Sequence, residues 1–254
     1  MIDHPYLSHP DLEPGRPLAI APRGGQDVAP ENTTASFEHA LSLGYRHLET
    51  DVHLTRDGEL VAFHDPDLSR TCGIEATVAE LTAADVAAAR VDGTHEIPTM
   101  AELLERFPTA RFNIDAKADD AVEPLIDLVR RTGALDRVCL AAFELRRLRR
   151  LRRALGPGLL TCTSPVETAA LRLTGRLPGD GDRVAQVPPS AGPIPVVTEG
   201  FVRRAHARGV PVHVWTVNER AEIDRLLDLG VDGIMTDRAA LLSDALAERD
   251  GRAA

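Results

Sequence analysis

Short apolar runs alternate with amphipathic helical stretches along nearly all of this 254-residue chain, and that alternation limits the fold more than any other feature. Repeated strand–helix units of this kind close a parallel sheet. The candidate strands are Leu18–Ala21, Arg46–Val52, Arg111–Asp115, Val138–Ala142, Leu159–Thr163, Val184–Val187, Val212–Trp215 and Gly233–Met235. Eight such strands close a barrel, and the length is near the ~250 residues usual for one. Helical patterns follow at Thr33–Leu43, Met100–Arg106, Ala121–Arg131, Leu145–Ala154, Val166–Thr174, Gly200–Arg208, Arg220–Leu229 and Ala239–Glu248. Asn32 and Asn218 stand where helix starts want a capping side chain, and Gly44, Gly133, Gly156, Gly209 and Gly230 stand just past helix ends. No linker divides the pattern. The expectation is an α/β fold, a TIM-type (β/α)8 barrel forming one domain over residues 1–254. It carries a leader at 1–17 and an insertion at Pro66–Pro98, with a helical patch at Ala83–Ala89. In a barrel that insertion falls near the active-site face, where it would shape substrate access.

The net charge is −10 and the pI about 5.4, which argues against a nucleic-acid surface. An anionic ligand would need local positive charge. Lys117 is the single lysine beside 28 arginines, so its retention points to a specific role. Cys72, Cys139 and Cys162 are odd in number and lack metal-ligand spacing, as expected of reduced cytosolic thiols. The opening MIDHPYLSHPDLEPGRP is polar and proline-rich, unlike a signal peptide, and no apolar run approaches the ~18 residues of a membrane span. A cytoplasmic location is expected.

Barrel enzymes build their sites at the C-terminal ends of strands. Glu49 and Asp51 lie two apart on one strand and so share a face; Asp115 and Lys117 do the same on the next. Glu49, Asp51 and Asp115 together make an all-oxygen set suited to Mg²⁺ or Ca²⁺ rather than zinc. A two-residue turn at Asp57-Gly58 would pair residues whose numbers sum to 115, setting His64 opposite Asp51. An imidazole there suits a general acid for a departing alkoxide. Arg23, followed by Gly24-Gly25, ends the first strand, where a guanidinium can grip phosphate oxygens and the glycines let a ligand approach the backbone. Lys117 would add a second positive charge. Trp215, the only tryptophan, would wall a pocket, while Glu31 and Asp237 would orient loops.

Eight motifs in order tie these residues to a known family. They are Arg23-Gly24, Pro30-Glu31-Asn32-Thr33, Glu49-Thr50-Asp51-Val52, Thr55-Arg56-Asp57-Gly58, His64-Asp65, Asn113-Ile114-Asp115-Ala116-Lys117, Val214-Trp215-Thr216-Val217-Asn218 and Gly230-Val231-Asp232-Gly233-Ile234-Met235-Thr236-Asp237. The chain resembles the glycerophosphodiester phosphodiesterases from about Leu18 to Leu242. The resemblance implies divalent-metal-dependent hydrolysis of a small glycerophosphodiester to sn-glycerol 3-phosphate and an alcohol. It implies Glu49, Asp51 and Asp115 as metal ligands, His64 and Arg23 as catalytic residues, and Arg23, Lys117 and Trp215 at the substrate. Two departures stand out. Asp115 replaces the family's usual glutamate, and Pro22 replaces the first of two acid/base histidines. The alternatives are therefore a catalytically weak or inactive phosphodiester-binding relative, or an enzyme in which His53 stands in. A relative acting on lipid head groups would carry an apolar lip on Pro66–Pro98, which is alanine-rich instead.

Overall fold

The computed structural model describes residues 2–179 and 181–253; Met1 of the leader and Ala254 lie outside them. Eight parallel strands close into a barrel: β1 (Leu18–Pro22), β2 (His47–Leu54), β4 (Arg111–Ala116), β5 (Val138–Ala141), β6 (Leu160–Cys162), β7 (Arg183–Val187), β10 (Val212–Val214) and β11 (Gly233–Met235). Closure comes where β1 pairs with both β2 and β11. All eight stand where the apolar runs place them, with ends shifted by one or two residues. β3 (Leu60–Ala62) folds back antiparallel on β2, the hairpin that the Asp57-Gly58 turn implies, while β8 (Ser190–Ala191) and β9 (Ile194–Pro195) make a small ribbon beyond β7 that escaped the pattern.

The helices are α1 (Thr34–Ser42), α2 (Ser69–Cys72), α3 (Ala83–Ala88), α4 (Met100–Arg106), α5 (Val122–Thr132), α6 (Leu145–Leu155), α7 (Pro165–Thr174), α8 (Glu199–His206), α9 (Arg220–Asp228) and α10 (Ala239–Ala253). Their apolar stripes set the docking face. On α5, Val122, Leu125, Ile126 and Val129 recur at helical spacing and are all buried against the sheet. Capping boxes at Thr99/Glu102 and Ser164/Glu167 fix where α4 and α7 begin. The five glycines read as helix stops all take positive φ.

Neither asparagine read as a helix start caps a helix. Thr33 caps α1, accepting from the Ser36 N–H at 3.2 Å, while Asn32 sits at φ 56° and accepts from the Thr50 hydroxyl at 2.8 Å. Asn218 accepts from the Asp237 N–H at 3.0 Å instead. Both asparagines hold the mouth of the barrel, a tertiary use that local sequence does not distinguish from a cap.

The leader closes the opposite mouth. Tyr6 is fully buried against Cys139, Leu160 and Val184, and the His47 Nε2–H donates to the Tyr6 carbonyl at 2.7 Å. Nearby His213 on β10 is fully buried, with no partner at either ring nitrogen. A Cβ on Gly233 would stand 2.8 Å from its ring, so β11 needs glycine there. Burial, aided by His47, lowers the His213 pKa to about 3. An unfolded imidazole titrates near 6.5, so on acidification the unfolded chain binds a proton that the folded chain refuses. The resulting stability is complete above about pH 6.5 and is lost as the pH falls towards 3, by up to about 1.4 kcal/mol per pH unit. Urea unfolding between pH 7 and 5 should therefore show a shallower loss of stability in His213→Phe. Equal slopes in the two proteins would mean that this histidine protonates in the folded state.

Candidate active site

The C-terminal end of the barrel opens into a cleft of about 640 Å³, and Pro22, Arg23, Glu49, Asp51, His64 and Asp115 line it together with Lys117 and Trp215. Register explains the convergence. Pro22 pairs with Glu49 across β1–β2, and Asp51 pairs with Asp115 across β2–β4. The two aspartates thus stand side by side, buried, and the Lys117 ammonium bridges them at 2.7 Å from Asp51 and 3.0 Å from Asp115. Burial tends to discharge Lys117, but the two carboxylates outweigh it and raise its pKa. Burial likewise pushes Asp115 up, against Lys117. Glu49 is pushed well above the carboxylate range by burial and by Asp51 and Asp115.

Among the described residues no group of three or more His, Cys, Asp and Glu side chains is gathered tightly enough to hold a metal ion as it stands. The donors nonetheless fit a hard cation. They are carboxylate oxygens, the buried Asp51 Oδ2 accepts no hydrogen bond and has only the Arg23 guanidinium 3.3 Å away, and the crowded negative charge raises Glu49. An added cation would relieve each of these.

Arg23 follows β1 at φ 52°, its N–H donating to the Glu49 carbonyl at 2.8 Å. Its guanidinium lies 3.2 Å from Glu31 and 3.3 Å from Asp51. Gly24 lets α1 approach: a Cβ there would meet the Ser36 hydroxyl at 2.3 Å. Glu31 and Asp237 do orient loops. Glu31 takes Arg23 and Arg70, and Asp237 accepts from the Asn218 amide at 2.8 Å and the Gln26 amide at 3.3 Å.

The hairpin register differs from the expected one. Val52 pairs with Ala62, so paired numbers sum to 114, and Asp51 accepts from the Phe63 N–H rather than facing His64. The cause is a three-residue loop, Arg56 to Gly58, closed between Thr55 and Glu59, with Gly58 at φ 95°. A one-residue slip would turn His64 away if the strand continued. The ladder ends at Ala62, however, and the chain bends, so His64 still lines the cleft. Its Nδ1 lies 2.7 Å from Asp65, whose other oxygen accepts from Arg70 at 2.5 Å.

His53 does not line the cleft. Its Nε2–H donates to the His64 carbonyl at 3.0 Å, and burial lowers its pKa. It braces the His64 backbone rather than filling the space beside Pro22.

Sequence reasoning missed Arg70 of α2, whose ion pairs to Glu31 and Asp65 join the insertion to Arg23 and His64. No residue of the insertion lines the cleft, and the insertion is tied to the site through Arg70. The apolar lip lies elsewhere. Phe143, Val166 and Ile194, beyond β5, β6 and β7, are exposed by 60%, 67% and 55%, and Phe143 meets Trp215 edge to face at 6.1 Å. Arg147 of α6 anchors the end of β4, donating to the Lys117 carbonyl at 2.9 Å.

A parallel barrel with acids, a lysine, an arginine and a histidine at its C-terminal mouth has the layout of a (β/α)8-barrel enzyme. The chain belongs to the glycerophosphoryl diester phosphodiesterase family, whose model matches residues 23–241. It is 40% identical over 248 residues to a probable glycerophosphodiester phosphodiesterase 2 of Mycobacterium tuberculosis, covering 94% of each chain. It is 31% identical to a glycerophosphodiester phosphodiesterase of Caldanaerobacter subterraneus, covering 87% of this chain and 93% of that one. In structure it resembles a putative glycerophosphoryl diester phosphodiesterase from Silicibacter pomeroyi, with a TM-score of 0.78, 26% identity and 96% of each chain covered.

Lys117 is the counter-charge nearest to both paired aspartates. Lys117→Met should cost about 3 kcal/mol of stability in chelator, read by urea unfolding. A change below about 1 kcal/mol would mean that protonation of the acids already relieves the crowding.

Proposed function

We propose that the protein hydrolyses glycerophosphodiesters to sn-glycerol 3-phosphate and an alcohol with a divalent cation, Mg²⁺ or Ca²⁺. It works as one barrel domain over residues 1–254 in the cytoplasm, consistent with three free cysteines and with no helix, among the described residues, long and apolar enough to cross a membrane. The observation that carries the reading is the convergence of Glu49, Asp51 and Asp115 with Arg23, Lys117 and His64 in one cleft. Asp115 is a methylene shorter than the family's glutamate and sits in register with Asp51, which supports its place in the ligand set. A cation bound by these carboxylates would supply Lewis-acid charge to the phosphoryl oxygens.

The chain's own residues supply the rest. Arg23 presents its guanidinium to phosphate oxygens, and Lys117, which a cation on Asp51 and Asp115 would free from them, would supply a second positive charge there. Trp215 walls the alcohol side. Asp65 holds His64 Nδ1, leaving Nε2 as the atom that hands a proton to the departing oxygen. Pro22 cannot take the proton of the attacking hydroxyl, and His53 is committed to a carbonyl. We infer a slow enzyme with one acid/base histidine rather than a rescued one.

Glycerol 3-phosphate release from glycerophosphocholine tests this. The unaltered chain should turn over slowly and stop in chelator, and Asp51→Asn should abolish turnover. Pro22→His, which sets an imidazole beside Glu49, should raise kcat by about 10²-fold or more. No turnover by either protein with added Mg²⁺ or Ca²⁺ would favour the phosphodiester-binding relative. A fast unaltered chain indifferent to Pro22→His would remove proline as the limit.

A further inference from the structure

The cleft has two unlike halves. Its acids, Glu49, Asp51, Asp115 and Asp237, come from β2, β4 and the end of β11. The other half runs between α7 and the β8–β9 ribbon and is walled by Pro165, Ala169, Val187, Ala191, Ile194 and Val196. No acidic side chain lines that half among the described residues, yet Arg172 does. Arg172 is half-buried. Its Nη2 donates to the Pro195 carbonyl at 2.9 Å, and its buried Nε has no partner. The other cleft cations are engaged: Arg23 with Glu31 and Asp51, Lys117 with Asp51 and Asp115. Among the described residues Arg172 is the cleft-lining cation without an acid partner.

A guanidinium between apolar walls, bound to one carbonyl but with no acid beside it, favours an anion, because the low-dielectric surroundings strengthen whatever charge pairs with it. Its fork matches a carboxylate. The Thr163 and Thr168 hydroxyls, 2.7 Å apart and both at the cleft wall, add polar partners on the same side.

We propose that Arg172 makes this half of the cleft a subsite for an anionic group on the leaving alcohol, a carboxylate such as a serine head group carries. Arg172 is then a specificity-determining residue. The assignment rests on the phosphodiesterase reading for its orientation, with glycerol phosphate among the acids and cation and the alcohol lying towards α7. A serine and an ethanolamine head group differ only by the carboxylate, so they isolate the contact.

The experiment compares glycerophosphoserine with glycerophosphoethanolamine in two readouts: dissociation constants by calorimetry in chelator, and kcat/KM with Mg²⁺. The unaltered protein should prefer the serine diester by about 10- to 100-fold in both, the size of a charge-assisted pair. Arg172→Gln should bring the ratio to within about threefold of one, chiefly by weakening the serine diester. Arg172→Lys, which keeps the charge without the fork, should retain part of the preference. A ratio near one in the unaltered protein, or an undiminished ratio in Arg172→Gln, would overturn the proposal. Preference in binding without turnover of either diester would uphold the subsite and remove the phosphodiesterase reading. Turnover of both diesters without preference would do the reverse.

Discussion

Asp51 and Asp115 stand beside each other because β2 and β4 run parallel and in register, and neighbouring strands lie only about 4.8 Å apart. Two like charges so placed, almost out of reach of water, must be compensated locally. The surrounding architecture carries the compensation: Lys117 bridges the pair, Arg23 reaches over from β1, and Arg147 of α6 holds the backbone on which Lys117 stands. The crowding still raises Glu49 well above the usual range. A barrel that placed these acids for packing alone would be poorly served by them. Their arrangement makes sense as a seat for positive charge.

The barrel was legible because fully buried parallel strands read as apolar runs and helix stops read as glycines, both local signals. The acids and Lys117 were legible for a related reason, since spacing along a strand dictates a shared face, and Arg23 from its place at the end of the first strand before two glycines. What escaped depended on chain segments far apart in sequence. Arg70 matters only because α2 folds back over Glu31 and Asp65, and Arg172 only because the β8–β9 ribbon leans over α7. The hairpin register turned on one residue of loop length, which Asp57-Gly58 alone does not decide. Asn32 and Asn218 looked like caps because a short polar side chain before a helix is ambiguous until its partners are known.

Pro22 divides the site's chemistry from its framework. The proline is accommodated at the end of β1, where Arg23 continues the ladder by donating to the Glu49 carbonyl, so a side chain without proton-transfer capacity sits on a regular backbone. Around it the supports persist: Gly24 against Ser36, Asn32 on Thr50, His53 on the His64 carbonyl.

The scarcity of lysine gives the molecule a chemical handle. With one ε-amine in the sequence, held protonated between two aspartates, reagents that acylate amines meet little nucleophile at that side chain in the resting protein. A cation that draws those carboxylates away would free the amine. Acylation at Lys117, located by peptide mass apart from the chain's α-amine, then becomes a covalent record of when the carboxylates are occupied.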